Sequence, residues 1–537
     1  MGRGNSGGGV PTQIRRLRRF HRLLFTLRDL RIIVLIAGVI SLGGVACSPK
    51  HDPRTVVVVA ESGPLNLDPR IGTDAESERI GSLLFDSMVR RDRQANILPG
   101  LAERWEMRDP LTYVFHLRPN VRFHNGKALT SRDVRYTFTS LLSGEIRSLK
   151  SSTFSLINGI DAPDDSTVIF HLKEPFASFL WNLTQGGIGI VPEGSGRGLT
   201  HAPVGSGPFR FVEAKQDEGV WLERNPDYWG RSPNIARAEF KIVPDAVTRA
   251  LELRKGSADI ELNALTADMV ESLRREKSLG VERAPGSSYQ YLALNLEDKR
   301  LTTAVRQAMA YAIDRKTMIG YLWRGLARPA DSVLPPENWA HAPELPSYEF
   351  DPAKAKQLLD EAGVRPGPDG VRLRLVMKTS TDQTARELSA VLQAQLRNIG
   401  IALDIRSYEF GTFYGDITRG NFNLFSLRWI SGNDDPDILS YCFDSRRIPP
   451  SGANRGHYSN PEVDRLLSEA RVSADASQRR KNYVEVQNIL VHDLPYISLW
   501  YLDDVAVYNR RLRNLRLSAT GNYDFLTDVE IGTGAPD

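Results

Sequence analysis

The stretch WISGNDDPD (429–437) gathers the residues best suited to hold a charged or aromatic solute. Asp434, Asp435 and Asp437 offer carboxylates to a cation, Trp429 offers a ring face, and Arg428 a fork for a carboxylate. Each has a plainer reading. Asp435-Pro436 opens a helix near Ile438, with Asp435 as its cap and Asp437 favoured by the helix dipole. That leaves Asp434, with Asn433 beside it, as the better ligand candidate. Trp429 either stacks on a ligand or plugs a core at a strand end. Arg428 either pairs with a ligand carboxylate or stands solvated. The loop PPSGANRG (449–456) could bring Asn454 and Arg455 to the same place.

Covalent and metal chemistry find no matching pattern. The chain has no G-x-S-x-G elbow, no H-E-x-x-H and no paired-cysteine metal motif. His457 in GHYSNP could serve as a base but has no identifiable nucleophile beside it. PVGSGPF (203–209) lacks the lysine of a phosphate loop. No catalytic residue, metal or cofactor is therefore expected. Cys47 and Cys442 are the only thiols, too few for a disulfide framework or a four-cysteine site. Cys442 reads as a small buried residue.

The N-terminus explains the charge. Residues 1–46 hold eight arginines against Asp29 alone, a net +7, so the other 491 residues carry −3 of the total +4. A near-neutral body does not support nucleic-acid binding. IIVLIAGVISLGGVA (32–46) is uncharged, preceded by arginines, and shorter than the roughly 20 residues of a spanning helix. It reads as a secretory signal. Its Gly-Val-Ala-Cys end resembles the lipobox of bacterial lipoproteins, although Gly44 stands where leucine is usual. That resemblance implies acylation of Cys47 after cleavage, residues 47–54 as a tether, and a body anchored to the membrane outside the cytoplasm. A plain signal peptide and an uncleaved anchor are the other readings.

Elements follow from periodicity. TVVVVA (55–60) is a buried strand, and 77–89 has helical spacing with Ile80, Leu83, Leu84 and Met88 on one side. YVFHLRPNVRF (113–123) and VIFHLKEPFASF (168–179) echo one another, with His116 and His171 on the strand face opposite the apolar pairs. Residues 301–321 read as one helix. Asp351-Pro352 caps another that ends at Gly363. Strands at 371–378, 401–408 and 423–429 and a helix over 386–399 complete an α/β layer, expected to be mostly parallel, with its ligand crevice at strand carboxyl ends.

From about Thr55 to Val529 the chain resembles the family 5 extracellular solute-binding proteins of peptide and nickel ABC importers. The segments that carry the resemblance stand in family order: LNLDP (65–69), LAERWE (101–106), TYVFHLRPNVRFHNG (112–126) and PVGSGPF (203–209). NPDYWG (225–230), VRQAMAYAIDR (305–315), DPAKAKQLLDEAG (351–363) and DDPD (434–437) follow. The resemblance implies a two-lobed periplasmic-binding-protein type II (cluster C) clamp with an extra β-rich subdomain. One lobe would hold residues 55–288 and 503–537, with the β-rich insert at about 73–204, and the other 289–502. Crossings are expected near YQYLALN (289–295) and YISLWYL (496–502).

The implied activity is capture of a solute, a peptide before others, for delivery to ABC permease subunits. The protein would be a monomer, periplasmic or on the cell surface. Gly72, Thr73 and Asp74 align with a stretch that contacts peptide backbone, and Ser426, Arg428 and Ile430 with the opposite strand. Peptide-binding members carry an aspartate for the ligand amine three residues after the tryptophan; this chain has Gly432 there. Nickel chelates, haem, opines and sugars thus stay open as ligands. A sensor feeding a signalling partner and a secreted hydrolase are the alternatives of other classes.

Overall fold

A computed structural model describes residues 54–92, 96–184, 188–430, 435–473, 475–518 and 521–532. Cys47, Gly432, Asn433 and Asp434 lie outside the described residues.

The strand Thr55–Ala60 is buried along its whole length. It pairs in parallel with Arg237–Ile242 on one side and Ile260–Leu262 on the other. A strand covered on both faces needs apolar side chains on both, which the valine run supplies at about 1.5–3 kcal/mol per buried valine. The sheet continues from Ile260–Leu262 into two long antiparallel strands, Leu279–Leu294 and Tyr496–Asn509. Beyond them come Leu424–Trp429, Leu373–Ser380 and Ile401–Tyr408. At about 3.3 Å per residue the longer crossing strand spans about 50 Å, enough to run through two bodies.

Hydrophobic cores divide at that crossing. Residues 56–284 and 505–529 form the clusters on one side, joined from the other side by Leu326 alone. Residues 289–501 form the clusters on the other. The ladder between the crossing strands is interrupted from Ala284 to Ser288. There a Cβ on Gly286 would stand 2.4 Å from the Leu502 carbonyl oxygen, so only glycine lets the strands approach so closely.

The β-rich insert is a four-stranded antiparallel sheet, Ala102–Asp109, Thr112–Leu117, Thr167–Leu172 and Ile157–Asp164. The two echoing segments are neighbours in it, with His116 opposite Thr167 and Thr112 opposite His171. Phe115 and Phe170 meet edge to face at 5.6 Å on the buried side.

The α/β layer is parallel as expected: Leu373–Ser380 pairs in parallel with Ile401–Tyr408 and with Leu424–Trp429. The sheet as a whole is mixed, because the crossing strands run antiparallel to each other and to their neighbours. Two expectations are corrected. The helix expected over 77–89 is Ala75–Leu84, since Asp74 caps it and Val89 already belongs to a strand. The helix expected over 301–321 is two, Thr303–Tyr311 and Arg315–Trp323, because the Asp314 carboxylate accepts from Thr317 N–H and starts a new helix.

Candidate functional site

Two cavities lie where the crossing strands pass between the lobes. One, of about 280 Å³, is lined from the first lobe by Glu78, Arg79, Glu261 and Asn263 and from the crossing by Ser287, Asp503 and Asp504. The other, of about 370 Å³, is lined by Thr379, Ser380, Asp382, Phe410, Ser426 and Trp500 of the second lobe. Trp323, Arg428 and Ile430 line both, so the two form one crevice with side chains from each lobe.

The charges on the first wall are matched inside the protein. Asp503, with its side chain 3% exposed, pairs with Arg283 and lies 3.4 Å from Arg328 Nη1. Burial pushes its carboxyl above the usual range, against the pull of the two guanidinium groups. Asp504 accepts from Asn263 Nδ2 at 2.8 Å. Arg79 pairs with Glu76 at 2.9 Å, and Glu78 lies 3.7 Å from Lys150 Nζ. Glu261 is fully enclosed; burial pushes its carboxyl up to about 8, although its Oε1 accepts from Ala264 N–H.

The second wall is built on the strand Leu424–Trp429. Gln290 on the crossing strand donates to Ser426 Oγ at 2.8 Å and to the Leu427 carbonyl at 3.1 Å, and Ser426 donates to the Tyr291 carbonyl at 2.7 Å. These bonds fix the strand that carries Arg428. Asp382 caps the helix Gln383–Arg397 by accepting from Ala385 N–H at 2.8 Å. Arg428 makes no side-chain hydrogen bond or close ion pair among the described residues; burial pulls its pKa down, and the Asp382 carboxylate in the same cavity opposes that through space.

The residues singled out in the sequence separate into three groups. Ser426, Arg428 and Ile430 line the crevice. Gly72, Thr73 and Asp74 do not line these two cavities, whereas Ala75 immediately after them does. Asp74 is the helix cap, accepting from Ser77 N–H at 2.9 Å and from Leu65 N–H at 3.3 Å. A Cβ on Gly72 would lie 2.3 Å from the Asn66 carbonyl oxygen, so that glycine serves the loop's fold back on itself.

Asn454 and Arg455 support rather than face the crevice. Asn454, 1% exposed, donates to the carbonyls of Asp444 and Tyr458 and accepts from Tyr458 N–H. Both its N–H bonds are therefore held within its own loop. The Arg455 guanidinium sits 5.2 Å from the Tyr414 ring and 5.8 Å from the Trp429 ring, and donates to Tyr414 OH at 2.8 Å. Trp429 is held by that cation, by Tyr291 at 6.4 Å and by Tyr441 at 6.1 Å.

Asp435 differs from its expected role. Asp437 occupies the position before the helix Ile438–Phe443, and Asp435 Oδ1 accepts from Asp437 N–H at 3.0 Å in a local turn. The same oxygen accepts from Ser178 Oγ of the β-rich insert at 3.1 Å, and Ala177 N–H donates to the Arg471 carbonyl at 2.9 Å. The insert thus touches the second lobe at this point. Burial and the neighbouring Asp435 push the Asp437 carboxyl up to about 7.

No cluster of three or more His, Cys, Asp or Glu suited to a metal occurs among the described residues. His171 is matched to Asp161 at 2.9 Å and His457 to Glu297 at 3.1 Å. Cys442 is buried, and its thiol is pushed up to about 12 by that burial. Sequence reasoning missed Arg79, Glu261, Asp503 and Trp323. Asp503 left a signal: YISLWYLDDVAVY (496–508) is an apolar strand broken by two aspartates.

Comparison with known proteins agrees with this geometry. The dipeptide-binding protein of Escherichia coli is 26% identical over 498 residues, covering 86% of this chain and 93% of that protein. The heme-binding protein A of Haemophilus influenzae is 29% identical over 514 residues, covering 89% and 92%. The structure of HbpA2 from Haemophilus parasuis superposes with a TM-score of 0.80 at 26% identity, covering 89% of this chain and 99% of that one. The family model of the bacterial extracellular solute-binding proteins, family 5 Middle, matches residues 96–448, about two thirds of the chain, and the chain belongs to that family.

Proposed function

We propose that this chain is the capture component of an ABC importer, closing two lobes on a solute and presenting the closed form to membrane permease subunits. The lobes are 55–288 with 503–537, and 289–502. The chain turns between them about the interrupted ladder at 284–288 and its partner segment at 502–504. Short stretches of this kind absorb backbone rotation while packed bodies stay rigid. The ligand's better fit to the closed form shifts the population toward closure.

The observation that carries this reading is the crevice itself, whose wall takes side chains from both lobes and shares Trp323, Arg428 and Ile430. A peptide is the favoured solute, since the dipeptide-binding relative aligns over most of both chains. The heme-binding relative, and Gly432 in place of the amine-binding aspartate, favour a non-peptide solute as the second reading. Cys47 is the proposed lipid attachment, holding the body against the outer face of a membrane.

Native mass spectrometry of protein purified without denaturation tests capture. One non-covalent solute per chain, lost on unfolding, is the expected result. Turnover of a peptide or ester panel with no bound solute would replace capture by hydrolysis.

A further inference from the structure

The lobes meet in two places of different make. At the crossing they are joined by the long strands themselves, by Leu326 packed into a first-lobe cluster, and by Arg324 Nε on Asp268 at 2.6 Å. The other place is the β-rich insert, where segment 176–178 reaches the second lobe. Ser178 donates to Asp435 Oδ1 at 3.1 Å, and Ala177 N–H donates to the Arg471 carbonyl at 2.9 Å. The Arg471 guanidinium lies 5.1 Å from the Phe176 ring. Phe176 and Phe179 belong to the core of the insert, which takes no member from the second lobe among the described residues. The contact is therefore polar and thin. Behind it, Arg471, Arg447 and Arg479 compensate the Asp437 carboxylate through space. Asp437 Oδ1, Arg471 Nε and Arg479 Nε are buried and make no hydrogen bond among the described residues.

We infer that segment 176–178 is a release catch, which holds the insert to the second lobe while the clamp is shut and parts when the lobes turn about 284–288 and 502–504. The inference rests on the capture reading and names what sets its resting balance. A turn about the crossing leaves contacts near its axis in place and separates those away from it. A shared apolar core would resist that separation, and this contact has none. The two hydrogen bonds and the cation over a ring favour the shut form. The buried polar atoms without a hydrogen bond favour the parted form, in which water reaches them. These opposed terms keep the catch weak enough for a solute's differential affinity to decide between open and closed.

The test uses protein unfolded, dialysed free of small molecules and refolded. Ser178 stands before the helix Phe179–Asn182 without capping it, so Ser178→Ala removes the cross-lobe bond and spares the helix. Arg471→Met, added to it, removes the cation and keeps an apolar stem. This loosened variant is expected to show a larger radius of gyration in X-ray scattering than the parent, and hydrogen exchange at Ala177 N–H about tenfold faster or more. A second variant carries Ser178→Cys with Asp435→Cys. Its disulfide, formed with oxidised glutathione, should hold the radius of gyration below the parent's, and reduction should release it. Melting temperatures within about 4 °C of the parent for the loosened and the reduced variants would show that both fold. An unchanged radius in the loosened variant, faster exchange at Ala177 N–H without expansion, or failure of the cysteine pair to join would overturn the catch. A radius that answers to the catch variants but to no added solute would uphold the catch and strike capture alone.

Discussion

The two walls of the crevice use charge differently. On the first-lobe and crossing side, Asp503 holds Arg283 and Arg328, Asp504 holds Asn263, and Arg79 holds Glu76. On the second-lobe side Arg428 makes no close ion pair among the described residues, is faced by Asp382 only through space, and stands beside the exposed Phe410 and Ile430. A matched wall needs no ligand to be stable, and one matched only through space is steadied by water or by a complementary solute. The difference separates residues that hold the crevice in shape from residues that choose what enters it.

Substitutions on the matched wall should therefore lower stability, and Arg428 substitutions should lower affinity. The largest stability loss is expected for Asp503→Asn, which leaves the Arg283 guanidinium without its carboxylate at the strand crossing and Arg328 with Glu337 alone. A loss of about 2–4 kcal/mol in chemical denaturation is expected, below the fully buried limit because Arg283 is half exposed. An equal loss for Arg428→Gln would erase the distinction between the walls.

Gly286→Ala comes next. Its Cβ would collide with the Leu502 carbonyl at the interrupted ladder, at about 1–3 kcal/mol. If both lobes turn about this point, scattering should also show a changed balance of open and closed forms. A stability loss with no change in that balance would place the turning point elsewhere.

Glu261 gives the pH signature of the matched wall. Its native carboxyl is pushed up to about 8 from an ordinary 4.5, so the native state binds more protons than the unfolded state between those values. Stability from this group is full below about 4.5 and falls as pH rises toward 8. Glu261→Gln cannot ionise and should flatten that fall, as read from melting temperature across pH 4–9. An unchanged slope would show that the parent's pH dependence arises elsewhere.

Much of the frame was legible because it rests on local rules. TVVVVA (55–60) and IALDIRSY (401–408) are strands with the expected limits, and Asp351-Pro352 caps its helix. The break at Asp314 was hidden because apolar helical spacing runs through it, while the decisive event is one side chain accepting from Thr317 N–H. The parallel layer was legible from the alternation of helix and strand over 371–429, whereas the two long antiparallel crossings in the same sheet are encoded by no local pattern. Ser426, Arg428 and Ile430 were found through resemblance. Asp503 and Glu261 were not, because their environments are made by segments far away in the chain: Asp503 meets Arg283 across 220 residues. Asn454 and Arg455 looked like ligand residues in a polar loop; burial among Tyr458, Tyr414 and Trp429 puts them to structural use.

Small-angle X-ray scattering during titration with a defined mixture of di- and tripeptides tests capture between lobes most directly. A saturable contraction of the radius of gyration, matched by a rise in melting temperature, is the predicted result. Scattering curves that stay superimposable at every peptide concentration, with no thermal shift, would contradict it.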